Sequence, residues 1–279
     1  MEFELTILGS ASALPASTRN PSAQALSVHG RLFLIDCGEG TQQRIRQEHL
    51  SFIKIEAIFI SHIHGDHVFG LFGILSTMGL YRRVAPLHIF GPQNLGPVIK
   101  FYLSYFGQDL GYEIVFHQIA GPATFLFKFK NGFSEEDGLS DADGVRISAF
   151  PLNHKIDCFG YRFDEVIGPR RSPWKPRSYA YCSDTAPFAE LSAYVEGVDM
   201  LYHEATYPAE LGAKAEQYFH STTLQAASCA KEAGASRLLI GHFSSRVKDI
   251  TQLEDECRTL FPETIAVNDG DKFALPVIR

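Results

Sequence analysis

The chain reads as an α/β protein on three observations. Short apolar runs ending in Gly, His or Asp alternate with helical stretches at both ends, and the middle is rich in alternating strands. The composition is that of a globular chain, with 45% hydrophobic and 20% charged residues, which excludes a disordered, collagen-like or coiled-coil protein. Its 279 residues suffice for one or two compact units around a large core.

The elements follow in order. Residues 4–8 form a strand that runs into the turn at 9–13, and 31–36 form a second. Cys37-Gly38-Glu39-Gly40-Thr41 breaks the chain ahead of a helix over 42–47, and the strand 57–60 stops at Ser61-His62. Residues 68–81, apolar and glycine-containing, predict a helix that suits burial against a sheet or a dimer interface equally. A strand at 87–90 and a helix at 97–105 come next, then alternating strands at 112–116 and 124–129 and a polar loop at 134–143. Strands at 147–152, 159–163, 179–182, 200–202 and 238–240 follow, with helices over 222–233 and 252–260. Phe33, Phe59, Phe69 and Phe72 are assigned to the core.

Charge and cysteine content narrow the function classes. Twenty-five basic against 32 acidic residues give a net charge of -7, which argues against sequence-blind attraction to nucleic acid over the whole surface. Met1-Glu2-Phe3-Glu4 lacks the basic and apolar regions of a signal peptide. No apolar run approaches the roughly 20 residues a membrane span needs, so a cytoplasmic protein without membrane contact is expected. Cys37, Cys158, Cys182, Cys229 and Cys257 are odd in number and scattered, as reduced thiols are; Cys37 and Cys182 read as buried thiols rather than ligands.

His62-Ile63-His64-Gly65-Asp66-His67 packs three imidazoles and a carboxylate into six residues directly after a strand. An isolated His at a strand end is usually a hydrogen-bonded structural residue, but this density points to metal ligation. Three further positions also lie just past predicted strands: His154, Asp184 and His242. Two metals sharing one carboxylate would take His62, His64 and His154 on one side and Asp66, His67 and His242 on the other, with Asp184 between them. Nitrogen-rich ligation favours two Zn²⁺, with Mn²⁺ or Fe²⁺ as alternatives.

The His-x-His-x-Asp-His pattern with later His, Asp and His resembles the metallo-β-lactamase fold. Leu8 to Pro15 with Arg19-Asn20, Asp36-Cys37-Gly38-Glu39-Gly40, Ser183-Asp184-Thr185, His203-Glu204-Ala205-Thr206, His220-Ser221-Thr222 and Gly241-His242-Phe243-Ser244-Ser245-Arg246 are similar, from end to end, to the ribonuclease Z branch of that superfamily. The resemblance implies a single domain over 1–279 with a four-layer αβ/βα sandwich, two zinc ions in the cleft between the sheets, and a homodimer. It also implies an endoribonuclease that trims tRNA 3′ ends by attack of a metal-activated water on phosphorus. Asp66 would bind or orient that water, and His220, held by Glu204, would protonate the leaving oxygen. The alternative reading of that pair is local: Glu204 and His220 as helix-capping groups.

One departure bears on substrate. Most ribonuclease Z chains carry a long, tRNA-gripping arm between the positions that match His154 and Asp184, and here only 29 residues intervene. Residues 164–178 form a short basic loop in its place, with Arg170, Arg171, Trp174 and Lys175 as candidate RNA contacts. The hydrolytic machinery is complete without the arm. The alternative function is therefore a metal-dependent hydrolase of small phosphodiesters or other esters that does not process tRNA.

Overall fold

In the computed structural model, which describes residues 2–14, 18–107, 110–134, 143–168 and 174–277, the apolar runs assemble into two mixed sheets. The first half of the chain supplies β1 (Phe3–Gly9), β2 (Ala23–Val28), β3 (Arg31–Cys37), α1 (Thr41–Gln47), β4 (Ile55–Phe59), α2 (Gly65–Val68), α3 (Leu71–Leu80), β5 (Leu87–Pro92), α4 (Leu95–Phe106) and β6 (Ile114–Ile119). Next come β7 (Ala123–Lys128), β8 (Gly132–Ser134), β9 (Gly144–Pro151), β10 (Phe159–Val166), β11 (Ser178–Cys182), α5 (Leu191–Tyr194) and β12 (Met200–Glu204). The last quarter adds α6 (Gly212–Tyr218), α7 (Thr223–Glu232), β13 (Leu238–Gly241), α8 (Thr251–Arg258), β14 (Thr264–Ala266) and β15 (Lys272–Ala274).

The sheet orders are β15-β1-β2-β3-β4-β5-β6 and β14-β13-β12-β11-β10-β9-β7-β8. Each has a parallel half, β3 to β6 in one and β11 to β14 in the other. Parallel strands need both faces covered, and their side chains meet that need by alternating between two cores. In β3, Phe33 and Ile35 face the other sheet, where they meet Phe163, Tyr161 and Tyr181, while Leu32, Leu34 and Cys37 face α1, α3 and α4. In the second sheet Leu201, Leu238 and Ile240 face away from that central core, toward α5, α7 and α8. The result is the αβ/βα sandwich that the resemblance implied.

Four local expectations are corrected. β2 was not foreseen, because Ala-Gln-Ala-Leu-Ser-Val has weak strand propensity and owes its extension to pairing with β1 on one side and β3 on the other. The helix expected over 68–81 is broken into α2 and α3 at Phe69-Gly70. There Gly70 donates its N–H to the Cys37 carbonyl at 2.8 Å, and a Cβ on it would lie 2.1 Å from the Gly38 oxygen. β10 continues to Val166, so the connection to β11 is shorter than residues 164–178 and comprises only 167–177. Phe33 and Phe59 are core residues, Phe72 is partly buried, and Phe69 is 67% exposed, contrary to its assignment.

Candidate metal centre

The parallel strands of both sheets end at one cleft, and the predicted residues follow those ends. His62 comes after β4, Asp184 after β11, Glu204 closes β12 and His242 follows β13 with φ 60°. His154 arrives from the antiparallel side, after β9. His62, His64, His154 and Asp184 each place one donor atom within 4.8 Å of the others, as do Asp66, His67, Asp184 and His242. Asp184 belongs to both sets. Its Oδ2 lies 3.7 Å from His62 Nε2 and 3.9 Å from His154 Nε2, and its Oδ1 lies 3.1 Å from His242 Nε2 and 3.4 Å from His67 Nε2.

Local hydrogen bonds decide which nitrogen each ring presents. Ser61 Oγ spends its proton on Asp36 Oδ2 at 2.8 Å and so accepts from His62 Nδ1 at 3.0 Å. Thr206 Oγ1 likewise donates to Glu204 Oε2 at 2.7 Å and accepts from His242 Nδ1 at 2.8 Å. His154 Nδ1 donates to the Phe219 carbonyl at 3.0 Å, and His67 Nδ1 to Asp36 Oδ2 at 2.7 Å. Four rings are thereby fixed with Nε2 toward the cleft, the orientation that outer partners impose on metal-bound imidazoles. His64 Nδ1 completes the first set, 3.0 Å from His62 Nε2 and 3.3 Å from His154 Nε2.

The electrostatics fit a divalent cation. Burial holds the pKa values of His62, His64 and His154 below the ordinary range, which keeps these imidazoles neutral with lone pairs available. Burial would lower His67 too, but Asp66, Asp184 and Asp36 around it raise its pKa well above the ordinary value. Burial would raise the carboxyls of Asp66 and Asp184, yet the surrounding imidazoles hold both well below the carboxylate range. His67 Nε2 and Asp184 Oδ1 are buried without a hydrogen-bond partner. Facing lone pairs, ionised carboxylates and orphaned buried donor atoms are what a bound cation would satisfy.

A second arrangement flanks the cluster. His220 Nδ1 lies 3.0 Å from Glu204 Oε1 and 3.4 Å from Thr206 Oγ1, and its ring stacks on His242 with centroids 5.5 Å apart. Glu204 is fully buried and also accepts from the backbone N–H groups of Thr185, Ser221 and Thr206. Burial works against a charged His220, but the Glu204 carboxylate overrides it and lifts the pKa to about 9. The capping role falls to Thr222, which forms a capping box with Gln225 at the start of α7, and not to His220 or Glu204.

Sequence reasoning missed the residues that hold the rings. Asp36, at φ 55°, accepts from Ser61, His67 and Tyr181; Thr206 links Glu204, His220 and His242. The only signal for Asp36 was a carboxylate at the end of an apolar strand. Arg170 and Arg171 lie outside the described residues, and Lys175 pairs with Asp199 at 3.0 Å. Trp174 and Lys175 precede β11, at the end of the sheet opposite Asp184.

Residues 3–104 match the family described as Anti-Pycsar protein Apyc1. Over nearly the whole chain the similarity is to a different group. The ribonuclease Z of Porphyromonas gingivalis strain W83 is 37% identical over 307 aligned positions, covering 96% of this chain and 97% of the relative. That of Bacteroides fragilis strain YCH46 is 35% identical over 309 positions, covering 96% and 98%. Among solved structures, the short form of human tRNase Z superposes with a TM-score of 0.78 at 30% identity, covering 98% of this chain and 99% of that one. With sequence relatives at this level from end to end and one cleft gathering the His and Asp residues, the chain belongs to the ribonuclease Z family.

Proposed function

We propose that the chain is a dinuclear metal-dependent phosphodiesterase, an endoribonuclease that trims the 3′ ends of tRNA precursors from a single metallo-β-lactamase-like domain over residues 1–279. The observation that carries this reading is that Asp184 turns one oxygen to each of two His-rich ligand sets while His220, held by Glu204, stands beside both. The substrate class comes from the relatives, which are named ribonuclease Z and tRNase Z.

His62, His64, His154 and Asp184 would hold one ion, and Asp66, His67, His242 and Asp184 the other. Zn²⁺ suits these nitrogen-rich sets, with Mn²⁺ or Fe²⁺ as alternatives. Bound there, the ions would supply Lewis acidity toward the phosphate oxygens and a water acidic enough to attack phosphorus near neutral pH. Asp66 presents its ionised carboxylate to the cleft and accepts a hydrogen bond from the attacking water. His220 keeps its Nδ1 proton on Glu204 and gives its Nε2 proton to the departing 3′ oxygen. Asp36, Ser61, Thr206 and the Phe219 carbonyl keep the ligating rings from turning.

The cytoplasm is the compartment this reading requires. It is supported by five cysteines that are all buried and unpaired, and among the described residues no helix is long and apolar enough to cross a membrane. A homodimer completes the proposal. Leu71, Ile74, Leu75 and Met78 of α3 are buried in the core, and the exposed aromatic residues Phe101, Tyr105 and Phe106 of α4 are the association face this proposal adopts.

A second reading, hydrolysis of small phosphodiesters alone, is favoured by the short connection of 167–177 where the family's arm would stand. One assay separates the two. Protein loaded with Zn²⁺ or Mn²⁺ is given a 3′-extended precursor tRNA and, separately, bis(p-nitrophenyl) phosphate. The expected result is a cut on the 3′ side of the discriminator base, abolished by chelation and restored by metal. Turnover of the small ester with the tRNA left intact would replace the first reading with the second, and cleavage that survives metal removal would sink both.

A further inference from the structure

Phe69 is 67% exposed, although it immediately follows buried His67 and Val68. Its position has a local cause. Helical side chains lean back over the preceding turn, toward the residue four positions earlier, and that residue is Gly65. A Cβ on Gly65 would lie 2.2 Å from Phe69 Cε2 and 2.5 Å from Cζ, so the ring occupies the space a side chain at position 65 would fill. Gly65 separates His64 from Asp66, one residue from each ligand set. A solvent-facing aromatic ring therefore lies against the backbone that joins the two ligand sets, where burial gives it no reason to be.

We infer that Phe69 is a platform on which a nucleobase next to the scissile phosphate stacks. The inference rests on the ribonuclease reading above and adds to it a recognition element: an unpaired nucleotide whose base lies on the Phe69 face while its phosphate reaches the ligand sets. Stacking is tolerant of base identity because every base has a π-face, so this contact selects for the presence of a base and not for a sequence. The seat is part of the device. Any side chain at position 65 displaces the ring, which gives that glycine a role in binding as well as in the turn.

The test is a cycle of enzyme and substrate changes. Wild type, Phe69→Ala, Phe69→Leu and Phe69→Trp are assayed on precursor RNA that is intact, or abasic at the nucleotide immediately 5′ or immediately 3′ of the scissile bond. Wild type is expected to lose about ten-fold in kcat/KM, mostly through KM, when the stacked base is removed. Phe69→Ala should show the same loss on intact RNA and no further loss on the abasic one. Phe69→Trp should restore base dependence, and Phe69→Leu, similar in bulk but without a π-face, should not. Equal base dependence in wild type and Phe69→Ala overturns the inference, as does full restoration by Leu or the absence of base dependence in wild type. If wild type cuts no RNA, the ribonuclease reading fails and takes the inference with it; if it cuts but the cycle shows no coupling, the inference alone fails. Metal content and melting temperature of each variant establish that the exposed ring was removed without disturbing the cluster behind it.

Discussion

At the scale of single residues, His220 carries a prediction that separates proton donation from metal binding. Its Nδ1 is 3.0 Å from a carboxylate buried by the fold, and that carboxylate lifts its pKa to about 9, so near neutral pH it carries a proton on Nε2. A ribose 3′ oxygen needs that proton, whereas p-nitrophenolate leaves without one. His220→Ala is therefore expected to slow RNA cleavage roughly 10²- to 10⁴-fold, with a far smaller effect on bis(p-nitrophenyl) phosphate and unchanged metal content. Steady-state rates on both substrates decide it: equal losses would mean that His220 shapes the metal site instead. The His and Asp residues that the fold gathers were legible in the sequence because they lie in one dense motif or just past an apolar run, where alternation ends and a polar side chain has no packing reason to be. Asp36 and Thr206 were not legible, because their work is to fix the rings of His67 and His242, and ring orientation is a three-dimensional fact. Phe69 was misread for a related reason: an aromatic beside buried His67 and Val68 is indistinguishable from core until the side on which a four-residue helix packs is known.

At the scale of elements, the strands with unbroken apolar runs were the readable ones, as in Leu32 to Ile35 of β3 and Ala57 to Phe59 of β4. β2 was not, because its extension comes from pairing with β1 and β3 rather than from residue preference, and β14 and β15 were not because three residues each are too short a run to show alternation. A long-range tie joins several of these elements and sets an acid limit on stability. Glu165 at the end of β10 accepts from Arg177 Nε and Nη2, both at 2.8 Å, and pairs with His29 of the β2–β3 turn. Arg177 also donates to the Leu275 carbonyl at 2.9 Å and lies over the Phe3 ring. Burial would raise the Glu165 carboxyl, but its bonds to Arg177 and His29 outweigh this and bring the pKa down from 4.5 to about 2. A carboxyl depressed on folding stabilises fully above its unfolded value and loses that contribution as pH falls from 4.5 toward about 2. Glu165→Gln should cost roughly 1.5–3 kcal/mol at pH 7, because it takes the charge out of the hydrogen bonds to Arg177, and should flatten this acid limb. Urea denaturation at a series of pH values tests both, and an acid limb of wild-type steepness in the variant would remove Glu165 as its source.

At the scale of the whole molecule, the described residues leave the outward face of α4 exposed. α4 buries Leu95, Ile99 and Tyr102 and turns outward Val98, Phe101 and Tyr105, spaced to lie along one side, with Phe106 beside them. Phe101, Tyr105 and Phe106 are each about two-thirds exposed, and Lys100 is the only charged residue of the helix. A two-fold interface sets the same patch of both copies face to face, and a patch with Lys100 as its one charge carries little self-repulsion there. An aromatic stripe of this kind, large enough to seed the roughly 800 Å² per partner of a stable contact, suits a second copy of the chain better than a charged RNA. The helix's buried side packs with the core cluster of the first sheet, so the outward side can be changed without unfolding the protein. Phe101→Glu would place two carboxylates near the two-fold axis. The expected outcome is a dimeric wild type and a folded, monomeric variant by sedimentation velocity and circular dichroism. If the variant remains dimeric, the association face lies elsewhere, and a wild type that sediments as a monomer at micromolar concentration would mean that α4 is covered by something other than a second copy.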